Sequence, residues 1–153
     1  MYTTGSSTCQ GFTYRRFAIT SGNRAKVNGV TFNHCNVSSI LSLANANAYF
    51  TNPLDIVGLG PDVTADPNTA KGRTFAGIVD KDLDGQYEKV YFAVSSYLKQ
   101  ADAKTVLTDW GVSSSKIVMF DGSGSSRLRV DSNILVAGDS WRDLPQMFAI
   151  LPY

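Results

Sequence analysis

The chain has 153 residues, of which 43% are hydrophobic and 11% aromatic, and this composition is typical of a folded domain with its own core. Its 14 basic and 13 acidic residues give a formal net charge of +1 and form no basic block or acidic tail, which argues against broad electrostatic binding to nucleic acid or anionic membranes. No stretch approaches the roughly 20 apolar residues that cross a bilayer, and the first residues lack a signal-peptide pattern. We therefore expect one domain over residues 1–153, without a nucleic-acid partner or a membrane span.

Small polar residues are plentiful and only 18% of the residues are charged, which favours a secreted or extracytoplasmic protein. The two cysteines, Cys9 and Cys35, allow two interpretations. A disulfide between them would place the protein in an oxidising compartment, whereas two buried free thiols would place no such demand.

In the first half of the chain, β-branched and aromatic residues predict strands over residues 12–20 and 26–32, joined as a hairpin by a turn at Ser21-Gly22-Asn23. Helical spacing of apolar residues follows over 38–44, and a short strand over 48–50 ends before Asn52-Pro53. The glycine- and proline-containing stretch 53–71 predicts a long loop, a feature that often borders a functional site.

In the second half, strands are predicted over 74–79 and 89–97 around an acidic turn. A helix ending at Gly111 is predicted next, because apolar residues recur at the helical positions Ala103, Val106, Leu107 and Trp110. Further strands are predicted over 116–120, 127–130, 134–136 and 146–151. The order predicts a single α+β domain with a largely antiparallel or mixed β-sheet and about two helices packed against it.

The segment that follows the strand over 116–120 is rich in glycine and serine. After Phe120-Asp121 comes Gly122-Ser123-Gly124-Ser125-Ser126, which we call the glycine–serine turn. Glycines let a backbone approach a ligand closely, and serine hydroxyls with successive N–H groups offer donors to an anion or to sugar oxygens. A plain turn between strands is the alternative interpretation.

Three segments carry a resemblance to a known family. Gly72-Arg73-Thr74 opens a strand, Phe120-Asp121 leads into the glycine–serine turn, and Trp141-Arg142-Asp143-Leu144-Pro145 precedes the last predicted strand. This order, over residues 44–153, resembles the phosphodiester glycosidase family. The family's middle glycine is Ser123 here, and its upstream asparagine–glycine motif is matched loosely, with Asn45 or Asn47 as the equivalent asparagine.

The resemblance implies a hydrolase that cleaves a sugar-1-phosphodiester bond in a glycan or cell-envelope polymer. Asp121 would be the catalytic residue, acting as acid or base or binding sugar hydroxyls. Arg73 and Arg142 would bind phosphate oxygens through their planar guanidinium groups. The remaining substrate-binding residues would be those of the glycine–serine turn: Gly122, Ser123, Gly124, Ser125 and Ser126.

Glycosyl hydrolysis commonly uses a second carboxyl group, for which Asp139, Asp143 and Asp80 are the candidates. A different function class also fits the short chain and Ser123. In that alternative the protein is a non-catalytic member of the same fold, which binds glycans or serves as a structural, self-assembling module of a secreted or surface assembly. Homo-oligomers are compatible with either function.

The acidic turn predicted between the strands over 74–79 and 89–97 reads Asp80-Lys81-Asp82-Leu83-Asp84-Gly85. Alternating acids followed by glycine are typical of a calcium loop, in which Asp80, Asp82 and Asp84 would be ligands and Glu88 would contribute. The twelfth position of the loop is Tyr91 rather than the glutamate of an EF-hand, and strands flank it. An acidic hairpin turn without a metal is the alternative, and we expect no other cofactor.

Overall fold

The structure is a computed structural model that describes residues 11–19, 24–33, 56–61, 67–120, 122–139 and 150. Within this part the protein is α+β, as predicted, with mostly antiparallel strands and one α-helix. The strands are β1 (Gly11–Ile19), β2 (Ala25–Asn33), β3 (Ile56–Leu59), β4 (Lys71–Val79), β5 (Lys89–Leu98), β6 (Ile117–Met119), β7 (Leu128–Val130) and β8 (Asn133–Val136). The helix is α1 (Gln100–Asp109), which agrees with the predicted helix. The elements predicted over 38–44, 48–50 and 146–151 lie outside the described residues, as do Cys9 and Cys35.

Six of the described strands form one sheet in the order β2-β1-β3-β6-β4-β5, and every pair of neighbours is antiparallel. Both predicted hairpins, β1–β2 and β4–β5, are confirmed. The two edge strands of the sheet are β2 and β5. Ala25, at the start of β2, forms a bridge to Tyr87, two residues before β5, so the sheet is curled. β7 and β8 form a separate two-stranded hairpin.

Strand β3 corrects the prediction of an uninterrupted loop over residues 53–71. Ile56, Val57 and Leu59 form a short apolar run that pairs with β1 on one side and with β6 on the other. The sequence did not predict this strand, because four residues give little periodicity and Gly and Pro residues surround them. Its pairing partners supply the stabilisation that the local sequence does not.

The core lies on both faces of β4, whose side chains alternate between two clusters. On one face, Phe75 packs with Ala103 and Leu107 of α1. On the other, Ala76 and Ile78 pack in a cluster with β1 and β2, to which Phe17, Ala25 and Val27 contribute. β4 is therefore buried on both faces along most of its length.

Helix α1 ends as predicted, at a glycine in the left-handed region. Gly111 has φ 86°, and its N–H donates to the carbonyl of Thr108 at 2.9 Å while the N–H of Val112 donates to that of Leu107 at 3.1 Å. With 10 residues, α1 is too short to span a membrane, and the described residues include no longer helix.

Candidate functional site

The glycine–serine turn leaves β6 and forms a single 3-10 turn at Ser123–Ser125. The N–H of Ser125 donates to the carbonyl of Gly122 at 3.1 Å, and the N–H of Ser126 donates to that of Ser123 at 3.3 Å. These two amides therefore serve the turn itself. An anion nest built on them, as the sequence suggested, would have to replace these bonds.

The turn lies directly on the start of β4. A Cβ added at Gly72 would stand 2.8 Å from the carbonyl carbon of Ser123, and one added at Gly122 would stand 2.6 Å from the carbonyl oxygen of Gly72. The hydroxyls of Thr74 and Ser126 are hydrogen-bonded at 3.0 Å. Two segments that are far apart in sequence, 72–74 and 122–126, thus meet backbone to backbone, and side chains at the glycine positions would separate them.

Ser123 adopts a backbone conformation that glycine adopts more easily. Its φ is 58°, in the left-handed region, and the residue is exposed. Ser123 is also the position at which the resembled family has its middle glycine. The serine adds an outward hydroxyl at the cost of backbone strain.

Ser126 has a different setting from Ser123, because it is only 1% exposed. Its hydroxyl accepts a hydrogen bond from the hydroxyl of Thr74, which links the turn to β4. Gly124 is also buried, while Gly122 and Ser125 are half-buried. Among the predicted substrate-binding residues of the turn, Ser123 presents the most accessible side chain.

On its other side the turn contacts Asp139, one of the candidates for a second carboxyl group. A Cβ at Gly124 would stand 3.0 Å from the Cβ of Asp139 and closer still to its carboxylate. The N–H of Asp139 donates to the carbonyl of Gly124 at 2.8 Å, and Arg127 donates to the carbonyl of Asp139. Of the other candidates, Asp80 lies in the β4–β5 hairpin, and Asp143 lies outside the described residues.

Arg73 is buried, with 4% of its surface exposed. Its Nε donates to the carbonyl of Leu98 at 3.2 Å and its Nη2 to that of Thr69 at 3.0 Å. Since neighbouring side chains on a strand point to opposite faces, and that of Thr74 reaches the glycine–serine turn, Arg73 points away from the turn. Asp121 and Arg142 lie outside the described residues, so their convergence on the turn stays a prediction.

The acidic loop between β4 and β5 brings four carboxylates together. Ligand atoms of Asp80, Asp82, Asp84 and Glu88 all lie within 4.8 Å of one another. Three of the carboxylates also stabilise the turn: Asp80 accepts from the N–H of Gly85 at 2.8 Å, Asp84 accepts from the N–H of Gln86 at 2.7 Å, and Glu88 accepts from the N–H of Lys81 at 3.1 Å. These bonds fit a hairpin turn with or without a metal, and the calcium site stays a prediction.

Two contacts at the glycine–serine turn were not foreseen from the sequence. The first is the Thr74–Ser126 hydroxyl pair, for which the residue types gave no signal. The second is Gly138, which has φ 63° and whose added Cβ would stand 2.6 Å from the carbonyl oxygen of Gly124. In the sequence, Gly138 directly before Asp139 was the available signal, because a glycine allows the sharp change of chain direction that brings Asp139 to the turn.

Comparison with models of known protein families finds no match for this chain, and neither do comparisons with curated proteins and with solved structures.

Proposed function

We propose that the protein is a hydrolase that cleaves a sugar-1-phosphodiester bond, with the glycine–serine turn as the centre of its substrate site. The observation that carries the proposal is the contact between residues 72–74 and 122–126. These are two of the three segments on which the resemblance to phosphodiester glycosidases rests. The left-handed backbone at Ser123 supports the same resemblance, because it is the conformation that the family's glycine would adopt without strain.

In the proposed reaction, a water oxygen forms a bond to the anomeric carbon while the bond from that carbon to the phosphate oxygen breaks. The bonding electron pair leaves with the phosphomonoester, and a proton of the water passes to a carboxylate and then to solvent. Because the departing phosphate is already anionic, it needs little proton donation. Asp121, which precedes Gly122 in the chain, is the proposed catalytic residue.

Substrate binding in this proposal relies on the close approach that Gly122 and Gly124 permit and on the hydroxyl of Ser123. Arg142 would bind the non-bridging phosphate oxygens. Two of the N–H groups of Arg73 already donate to backbone carbonyls. We therefore assign more of the phosphate binding to Arg142 than to Arg73.

Turnover of UDP-N-acetylglucosamine and of a panel of sugar phosphodiesters tests the proposal. Free sugar is expected from the wild type, and Asp121→Asn and Arg142→Ala should lose activity while keeping the wild-type melting temperature. Undetectable release across the panel by the folded wild-type protein would reject a hydrolytic function.

A second candidate is a non-catalytic module that binds glycans or assembles with itself. It is favoured by the interior bonds of Arg73 and by the burial of Ser126, since both residues act within the fold. Binding on a glycan array without turnover, or a rise in mass by light scattering, would support this function over the first.

A further inference from the structure

Asp139 is held at the glycine–serine turn by its backbone. Its N–H donates to the carbonyl of Gly124 at 2.8 Å, and its own carbonyl accepts from Arg127. Its side chain is half-buried and stands on the side of Gly124 where a Cβ would project. Neither backbone bond involves the carboxylate, so the position of the residue does not depend on its charge.

Two glycines make room for this arrangement. At Gly124, a side chain would overlap the Asp139 carboxylate. At Gly138, an added Cβ would stand 2.6 Å from the carbonyl oxygen of Gly124 and 2.7 Å from Cγ of Arg127, and φ is 63°. The Asp139 carboxylate can therefore lie against the turn because both Gly124 and Gly138 lack a side chain.

The carboxylate has no hydrogen bond within the described part of the chain. The amides of Ser125 and Ser126, which an acidic side chain would ordinarily cap in such a turn, donate to carbonyls of the turn instead. A half-exposed carboxylate that neither caps the turn nor forms an ion pair with a described residue is accessible to water, and to a substrate bound at the turn.

We propose that Asp139 is the second carboxyl group of the site and takes the proton of the attacking water. This role rests on the proposed hydrolase function. As the water oxygen bonds to the anomeric carbon and the phosphomonoester leaves with the electron pair of the broken bond, the proton moves to Asp139 and from there to solvent. With Asp139 as the base, Asp121 would act as the acid or bind sugar hydroxyls.

The test compares Asp139→Asn with the matched surface variant Asp109→Asn, using a sugar phosphodiester that the wild type turns over. Losing a general base costs roughly 100-fold or more in kcat, so we expect that loss in Asp139→Asn with little change in KM or melting temperature. Asp109 is exposed at the end of α1, and its variant should match the wild type.

Gly124→Ala is a second variant that leaves Asp139 in place but displaces its carboxylate, and it should also lose kcat. Asp139→Glu, which keeps a carboxylate, should retain activity at a reduced rate. If Asp139→Asn retains the wild-type rate while the wild type is active, the role of Asp139 is wrong and the hydrolase function stands. A loss that only follows a lowered melting temperature would also overturn it. An inactive wild type would reject both together.

Discussion

Gly72→Ala is the substitution that most directly probes the contact between β4 and the glycine–serine turn. The added Cβ would stand 2.8 Å from the carbonyl carbon of Ser123 and 3.0 Å from the Cβ of Ser126, where ordinary contacts begin at 3.4 Å. The carbonyl group belongs to the backbone, so no rotation of a side chain relieves the overlap. The added Cβ would overlap the carbonyl oxygen of Ser123 more closely still, so the turn or the strand must move by more than 0.6 Å, the difference between 3.4 and 2.8 Å.

Overpacking of this kind costs about 1–3 kcal/mol. Replacing glycine by alanine returns roughly 0.4–1 kcal/mol by restricting the unfolded chain. The net loss of about 1–2 kcal/mol corresponds to a melting temperature lower by about 2–8 °C for a domain of this size. Because the displaced group is the turn, the rate of hydrolysis should fall even at temperatures well below the melting temperature, where the variant is folded.

Gly77→Ala is the matched control in the same strand. Its added Cβ would meet a side chain, with Cγ1 of Val112 at 2.7 Å, on the face of β4 that packs against α1. Thermal unfolding and sugar release are measured for both variants. Gly77→Ala should lose stability alone, and Gly72→Ala should lose stability and activity. Unchanged activity in Gly72→Ala would refute the reasoning that the contact positions the site.

Three further predictions concern Ser123, Arg73 and the acidic loop. Ser123→Gly should raise the free energy of unfolding by up to about 1 kcal/mol, since glycine adopts a left-handed backbone without strain. Leu83→Gly, at φ 62° in the β4–β5 hairpin, is the control for the same change away from the glycine–serine turn. Arg73→Gln should lower the free energy of unfolding by about 3 kcal/mol, because it removes a buried guanidinium that donates to two backbone carbonyls. A loss smaller than about 1 kcal/mol in a denaturant titration would contradict the view that these bonds stabilise the fold. If the acidic loop binds calcium, millimolar calcium should raise the melting temperature of the wild type but not of Asp82→Asn, and an unchanged wild type would remove the site.

Local patterns in the sequence were enough to predict most elements of the described fold. Helix α1 and its stop at Gly111 follow from apolar spacing and one left-handed glycine, and the β4–β5 hairpin follows from two apolar runs around an acidic turn. Strand β3 was missed because four residues carry too little periodicity, and its pairing with β1 and β6 is not local.

The candidate site was only partly predictable for the same reason. The residue types of the glycine–serine turn are visible in the sequence, and Asp139 was among the possible carboxyl groups. The direction of Arg73 depends on which face of β4 meets the turn, which strand alternation alone does not decide. The approach of Asp139 to Gly124 depends on where the chain returns after β8, and Gly138 shapes that return.

Phosphorus NMR of a sugar phosphodiester incubated with the wild type, beside Asp121→Asn, tests the central claim most directly. We predict that the diester signal is replaced by a phosphomonoester signal with the wild type and persists with the variant. A diester signal that stays unchanged with the folded wild-type protein, over a panel of sugars, would contradict a hydrolytic site at the glycine–serine turn.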